Sequence, residues 1–143
     1  MEDKRLMDEH AVKIFETRCA FVSLVADNIV LLEEKPNAMI ELADAVETSA
    51  EVNKLHGDGK WGLLVDIRNM KSVTKEARDY YGHEDTAPFC CACALLVNSY
   101  FSTLIANFFI SFTKLSKPTK LFSSKEEAIE WLKRILLVEN KME

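Results

Sequence analysis

The chain has 143 residues, enough for one domain with a core of its own that needs no disulfide or metal staples. Hydrophobic content of 48% and charged content of 29% are ordinary for a globular protein, and a net charge of -5 excludes a general nucleic-acid binder, which needs a basic field. The opening MEDKRLMDEH does not read as a signal peptide, and no apolar run reaches the ~20 residues of a membrane span, so a cytoplasmic location with reduced cysteines is expected.

Residues 1–10 are polar and read as a flexible arm. A β pattern starts at Val12, Ile14 and Phe15. Residues 19–25 and 29–33 are expected to form a hairpin across Ala26-Asp27-Asn28, and a piece around residues 13–17 either extends the first strand or makes its own. Ser23 and the Glu33-Glu34-Lys35 run are expected to keep part of this hairpin wet, at one side of a sheet. Pro36-Asn37 then opens a helix with Asn37 as N-cap. Met39, Ile40, Ala43, Val46, Ala50 and Leu55 would face the core, and Glu41, Asp44, Glu47 and Glu51 would face water. Gly57, after His56, stops it.

The run from Gly62 to Ile67 is short, apolar and partly β-branched, as expected of a strand buried on both faces. It ends in Asp66, Arg68 and Asn69. Thr74 caps a short helix that Gly82 ends, and a polar loop leads to a second buried strand over residues 89–97. Asn98-Ser99 starts a helix with Phe101, Leu104, Ile105, Phe108, Phe109 and Phe112 on one broad face. Residues 119–122 form a short strand. A capping box (Ser123 with Glu126, or Ser124 with Glu127) opens a last helix carrying Ala128, Ile129, Leu132, Ile135 and Leu136. Strands alternating with helices predict an α/β fold: one domain with a mixed, mostly parallel sheet of four to five strands, helices packed on it and an antiparallel N-terminal hairpin.

With the hairpin, LLVDIRNMKSV, the next strand-helix pair and PTKLFSSKEEAIEWL in place, the chain resembles the STAS/SEC14-like group of anti-sigma-factor-antagonist-like domains over residues 12–137. The resemblance implies a small non-enzymatic interaction module, often used in signalling, and the wider group includes lipid-binding relatives. In the anti-sigma antagonists an Asp-Ser-Ser-Gly segment begins the helix after the central strand, and its first serine is phosphorylated. Here that segment falls near Thr74-Lys75-Glu76-Ala77, and the serine is missing. Ser72 and Thr74 are hydroxyls nearby that do not match the pattern, so the phosphorylation switch is not carried over.

Asp66, Arg68, Asn69, Ser72, Thr74, Asn98 and Ser99 fall at the carboxyl ends of strands, where open α/β sheets place ligands or partners. The plainer reading is that Asp66 and Asn69 bond loop N–H groups, Arg68 pairs with a neighbour and Ser99 is a cap. Cys90 and Cys93 form C-x-x-C, but on a strand, where Cys91 and Cys93 are expected to share a face, small apolar packing outweighs redox chemistry. A strand of adjacent cysteines, even with His83, is poor geometry for a metal. No catalytic constellation and no Gly-rich phosphate loop appears, so no enzyme activity and no cofactor are expected. On the aromatic helix, Phe101, Phe108, Phe109, Ile110 and Phe112 exceed what one sheet face needs, with Ile110 lying away from the Phe101/Leu104/Phe108 stripe. That surplus predicts an exposed patch for homodimerisation, and beside it a protein partner of unknown identity. Lys114, Lys117 and Lys120 follow directly and would suit a lipid or membrane surface.

Overall fold

The computed structural model of the chain describes residues 13–112 and 115–141. Ile14–Glu16 (β1), Ala20–Ala26 (β2) and Ile29–Glu34 (β3) come first, then the two-residue strand Met39–Ile40 (β4) and the helix Leu42–Leu55 (α1). Trp61–Asp66 (β5), Ser72–Val73 (β6), Lys75–Gly82 (α2) and Cys90–Leu96 (β7) follow. Tyr100–Phe112 (α3), Thr119–Phe122 (β8) and Lys125–Lys141 (α4) complete the order. Six strands form one sheet in the order β1-β2-β3-β5-β7-β8, and β4 pairs with β6 in a second, parallel ribbon. The first two pairings are antiparallel and the other three parallel.

The sheet has six strands rather than four to five because residues 14–16 make their own edge strand against β2. The hairpin turns at Asp27-Asn28, where Asn28 takes the left-handed conformation (φ 66°) that Asn tolerates in tight turns. The central pair β5 and β7 lie side by side and parallel, Leu63 opposite Cys93 and Val65 opposite Leu95. The apolar runs in both strands are continuous because helices cover the two faces. Leu64, Ala94 and Leu96 pack with Leu132 and Leu136 of α4 on one face. Leu95, Ile40, Ala45, Ala77 and Ala106 join α1, α2 and α3 to the other. Trp61 is fully buried, stacked 4.2 Å from the His56 ring, and its Nε1–H donates to the Pro88 carbonyl at 2.7 Å.

Three expectations need correction. Asn37 caps no helix; it sits at φ 63° in a turn, and α1 starts five residues later with Glu41 as N-cap, in a reciprocal capping box with Asp44. The same helix turns Ala45, Thr48, Ser49 and Val52 inward, together with Asp44, and leaves Val46 exposed. Asp44 is drawn in by Arg18, whose guanidinium grips it with Nε–H and Nη2–H at 2.6 and 2.5 Å, and Thr48 meets the Thr17 hydroxyl at 3.1 Å. The cysteines are re-phased by a bulge: Trp61 faces Cys90 while Gly62 faces Ala92. Cys91 therefore packs toward α4, whereas Cys90 and Cys93 belong to the clusters on the opposite face.

Candidate functional site

The strand-end residues arrange themselves locally. Arg68 clamps Asp66 with two parallel bonds, Nε–H at 3.0 Å and Nη2–H at 2.8 Å, while its backbone N–H donates to the same carboxylate at 3.0 Å. The ion pair raises the arginine's pKa. The Asn69 carbonyl accepts from the Asn37 N–H at 2.8 Å and its residue is exposed. Ser72 lies in β6 opposite Met39, and its N–H donates to the Ala38 carbonyl. Thr74 caps α2 by accepting from the Ala77 N–H at 3.2 Å. At the next strand end, Ser99 accepts from the Ser102 N–H at 3.1 Å, and the buried Ser102 hydroxyl accepts from the N–H groups of Asn98 and Ser99. Each of these polar side chains or backbone groups is engaged in shaping its own turn.

α3 presents a different face from the expected one. Its contact with the sheet side is made by small residues, Ser102 and Ala106, both essentially inaccessible, flanked by Ile105, Phe109 and Ile110. Phe101, Leu104 and Phe108, spaced i, i+3, i+7, point outward and are 54%, 49% and 46% exposed. The expected interface set is thus split: Phe101 and Phe108 are outside, Phe109 and Ile110 pack into the core. The Phe112 side chain and Lys114 lie outside the described residues. A shallow groove runs beside the outer stripe, bounded by Lys71, Ser72 and Arg78. The Arg78 guanidinium lies 4.5 Å from the centre of the Phe108 ring, a cation–π contact, and donates to the Val73 carbonyl at 3.2 Å.

Beneath α3, between it, α1, α2 and the sheet, lies a cavity of about 100 Å³ whose walls are almost wholly apolar, including Val65, Leu95, Ile105 and Phe109. Its polar lining includes Ser49, Thr86 and Thr119 and two titratable residues that the sequence does not mark as a site, Glu34 and Tyr81. Glu34, expected in the wet end of the hairpin, is only 7% exposed. It follows Val30 and Leu32 at period two, so it shares their face, turned toward the helices. Among the described residues none hydrogen-bonds its carboxyl. Burial, and then the nearby negative charges of Asp44 and Asp66, push it up to about 8. The Tyr81 hydroxyl is likewise buried with no hydrogen-bond partner among the described residues. Burial, with Glu34 adding to it, raises the phenol well above its ordinary value. The nearby Thr48 side chain favours the ionised phenol but is outweighed.

The thiols are the reverse of activated. Burial pushes Cys90 up to about 11 and Cys93 up to about 12. Among the described residues no helix is long and apolar enough to cross a membrane, and no group of three or more His, Cys, Asp or Glu is placed to hold a metal ion.

Among solved structures the chain is similar to an uncharacterised protein of the DUF3478 family with a SpoIIAA-like fold from Shewanella loihica PV-4. The TM-score is 0.54 at 15% identity, over 85% of this chain and 92% of that one, so the shared feature is the SpoIIAA-like, STAS-like fold. It is also similar to a protein of unknown function from Arthrobacter sp. FB24, at 33% identity over 78% of this chain and 97% of that one, with a TM-score of 0.31. None of the curated proteins compared matches the chain. A family model for a domain of unknown function, DUF7793, matches residues 23–136, and the chain belongs to that family.

Proposed function

We propose that this STAS-like domain is a non-enzymatic interaction module that forms a homodimer through the outer face of α3 and serves a regulatory role by binding a protein partner. One observation carries the reading: three large apolar side chains, Phe101, Leu104 and Phe108, stand in a row on a single helix face and remain about half exposed. A contiguous aromatic stripe of this kind marks a contact surface far more often than a solvated one. A second copy fits it because a straight apolar stripe is self-complementary across a two-fold axis. The paired states of Asp66 and Asp44 and the raised thiols of Cys90 and Cys93 leave these groups poorly suited to acid–base or nucleophilic work.

Sedimentation velocity over a range of concentrations tests the dimer. Association is expected in the wild type and its loss in Phe101→Glu/Phe108→Glu, with the circular dichroism of the fold retained. Substitutions at Phe109 or Ile110 are unsuitable, because both side chains pack in the core. A wild type that stays monomeric at high concentration rejects the homodimer. A second reading, a carrier of a small apolar ligand, is favoured by the cavity beneath α3.

A further inference from the structure

The walls of the cavity beneath α3 are largely apolar, and Glu34 and Tyr81 line it together with Ser49, Thr86, Ser116, Lys117 and Thr119. A buried polar group without a partner costs free energy that a bound molecule can return. The two carboxylates that act on Glu34 have cations of their own: Arg18 holds Asp44 and Arg68 holds Asp66. Groups around the carboxyl come from every neighbouring element: Asp44 on α1, Asp66 on β5, Tyr81 on α2 and Cys19 just before β2. α3 contributes the apolar Ile105 and Phe109. Two acidic neighbours repel an anionic ligand head at this end. Burial, and after it these charges, keep the Glu34 proton in place near neutral pH, so that the carboxyl, like the phenol, is a donor. Both wall groups therefore lack an acceptor.

We propose that the cavity binds a small apolar molecule bearing one neutral acceptor oxygen, a ketone or ester carbonyl, held by the Glu34 carboxyl and the Tyr81 hydroxyl with its hydrocarbon part under α3. This class assignment rests on the carrier reading. A cavity of about 100 Å³ holds a body of roughly four heavy atoms, in proportion to the benzene that fills one of about 150 Å³. The carbonyl fixes orientation and the apolar walls supply most of the affinity.

The test is a titration of the full chain, followed by ¹H–¹⁵N spectra, with acetone, isobutane, isopropylamine and acetate. Acetone is expected to shift the amides of cavity residues such as Val65 and Ala106. Tyr81→Phe, which removes only an unpartnered hydroxyl, is expected to weaken it about 3- to 10-fold and to leave isobutane unchanged. Taking the pH from 7 to 9 is expected to weaken acetone binding to the wild type but not to Glu34→Gln, whose amide stays a donor. If no probe binds, the carrier reading fails and the class assignment with it. If isobutane binds but acetone is indifferent to Tyr81→Phe, the carrier reading stands and the carbonyl is overturned. Tighter binding of the amine or the carboxylate than of the ketone overturns it equally.

Discussion

Replacing Glu34 with Gln keeps the shape of the side chain and removes its ability to ionise, which makes the cost of that buried carboxyl measurable. In the folded chain the group holds its proton up to about pH 8, whereas an ordinary glutamate releases it near 4.5. Between those values the native state binds one proton more than the unfolded state. Stability is therefore fully present below about pH 4.5, falls as the pH rises toward about 8, and levels off above. The slope is about 1.4 kcal/mol per pH unit, so by pH 7 the wild type carries a deficit on the order of 2–3 kcal/mol after structural relaxation. Urea melts of both proteins from pH 4.5 to 9, followed by tryptophan fluorescence, isolate this effect because other titrating groups are common to both. Glu34→Gln is expected to match the wild type near pH 4.5 and to exceed it increasingly up to pH 8, by about 2–3 kcal/mol of unfolding free energy at pH 7. Parallel curves across that interval would show that the carboxyl is hydrated and ionised in solution, and the account of the cavity wall would fail.

Two further outcomes follow from paired and buried groups elsewhere. Arg18 holds the Asp44 carboxyl below its ordinary value, so the pair's contribution is present above about pH 4 and lost as the pH falls through the lower folded value. Arg18→Met is expected to lower the melting point at pH 7 and to shrink that acid-side loss, and an unchanged acid limb in a pH series of thermal melts would contradict the pairing. Cys90 and Cys93, raised to about 11 and 12, are expected to react with iodoacetamide at pH 8 more than a hundredfold slower than the same residues in the urea-unfolded chain. Peptide mass spectrometry of timed samples reads the two rates, and native alkylation at the unfolded rate would place these thiols in water.

Much of the fold was legible because its signals are local. The Asp27-Asn28 turn, the unbroken apolar runs of β5 and β7, the Thr74 cap and the Ser124–Glu127 start of α4, where Ser124 accepts from the Glu127 N–H at 3.3 Å, are each written in a few adjacent residues. Glu34 departs from its local sequence signal for a physical reason. Three charged residues in a row read as a wet segment, yet alternation from Val30 and Leu32 puts the middle one inside, and in a strand covered by helices the alternation prevails. The bulge beside Cys91 left no local mark, since it depends on how β7 registers against Trp61 and Gly62.

The helix faces were harder to read because size misled. Periodicity weights large apolar residues, so α3 is expected to bury Phe101, Leu104 and Phe108; instead it seats itself on Ser102 and Ala106. Small residues permit close approach along one line of a helix, and α1 follows the same logic with Ala45, Thr48 and Ser49. For α3 the choice has two consequences at once. The large side chains that would have filled the space over Val65 and Leu95 are outside, which leaves the cavity beneath the helix partly empty, and their outward row forms the apolar stripe on its other side. Cavity and stripe are thus two results of one rotation of α3 about its axis, and a helix turned the expected way would have neither.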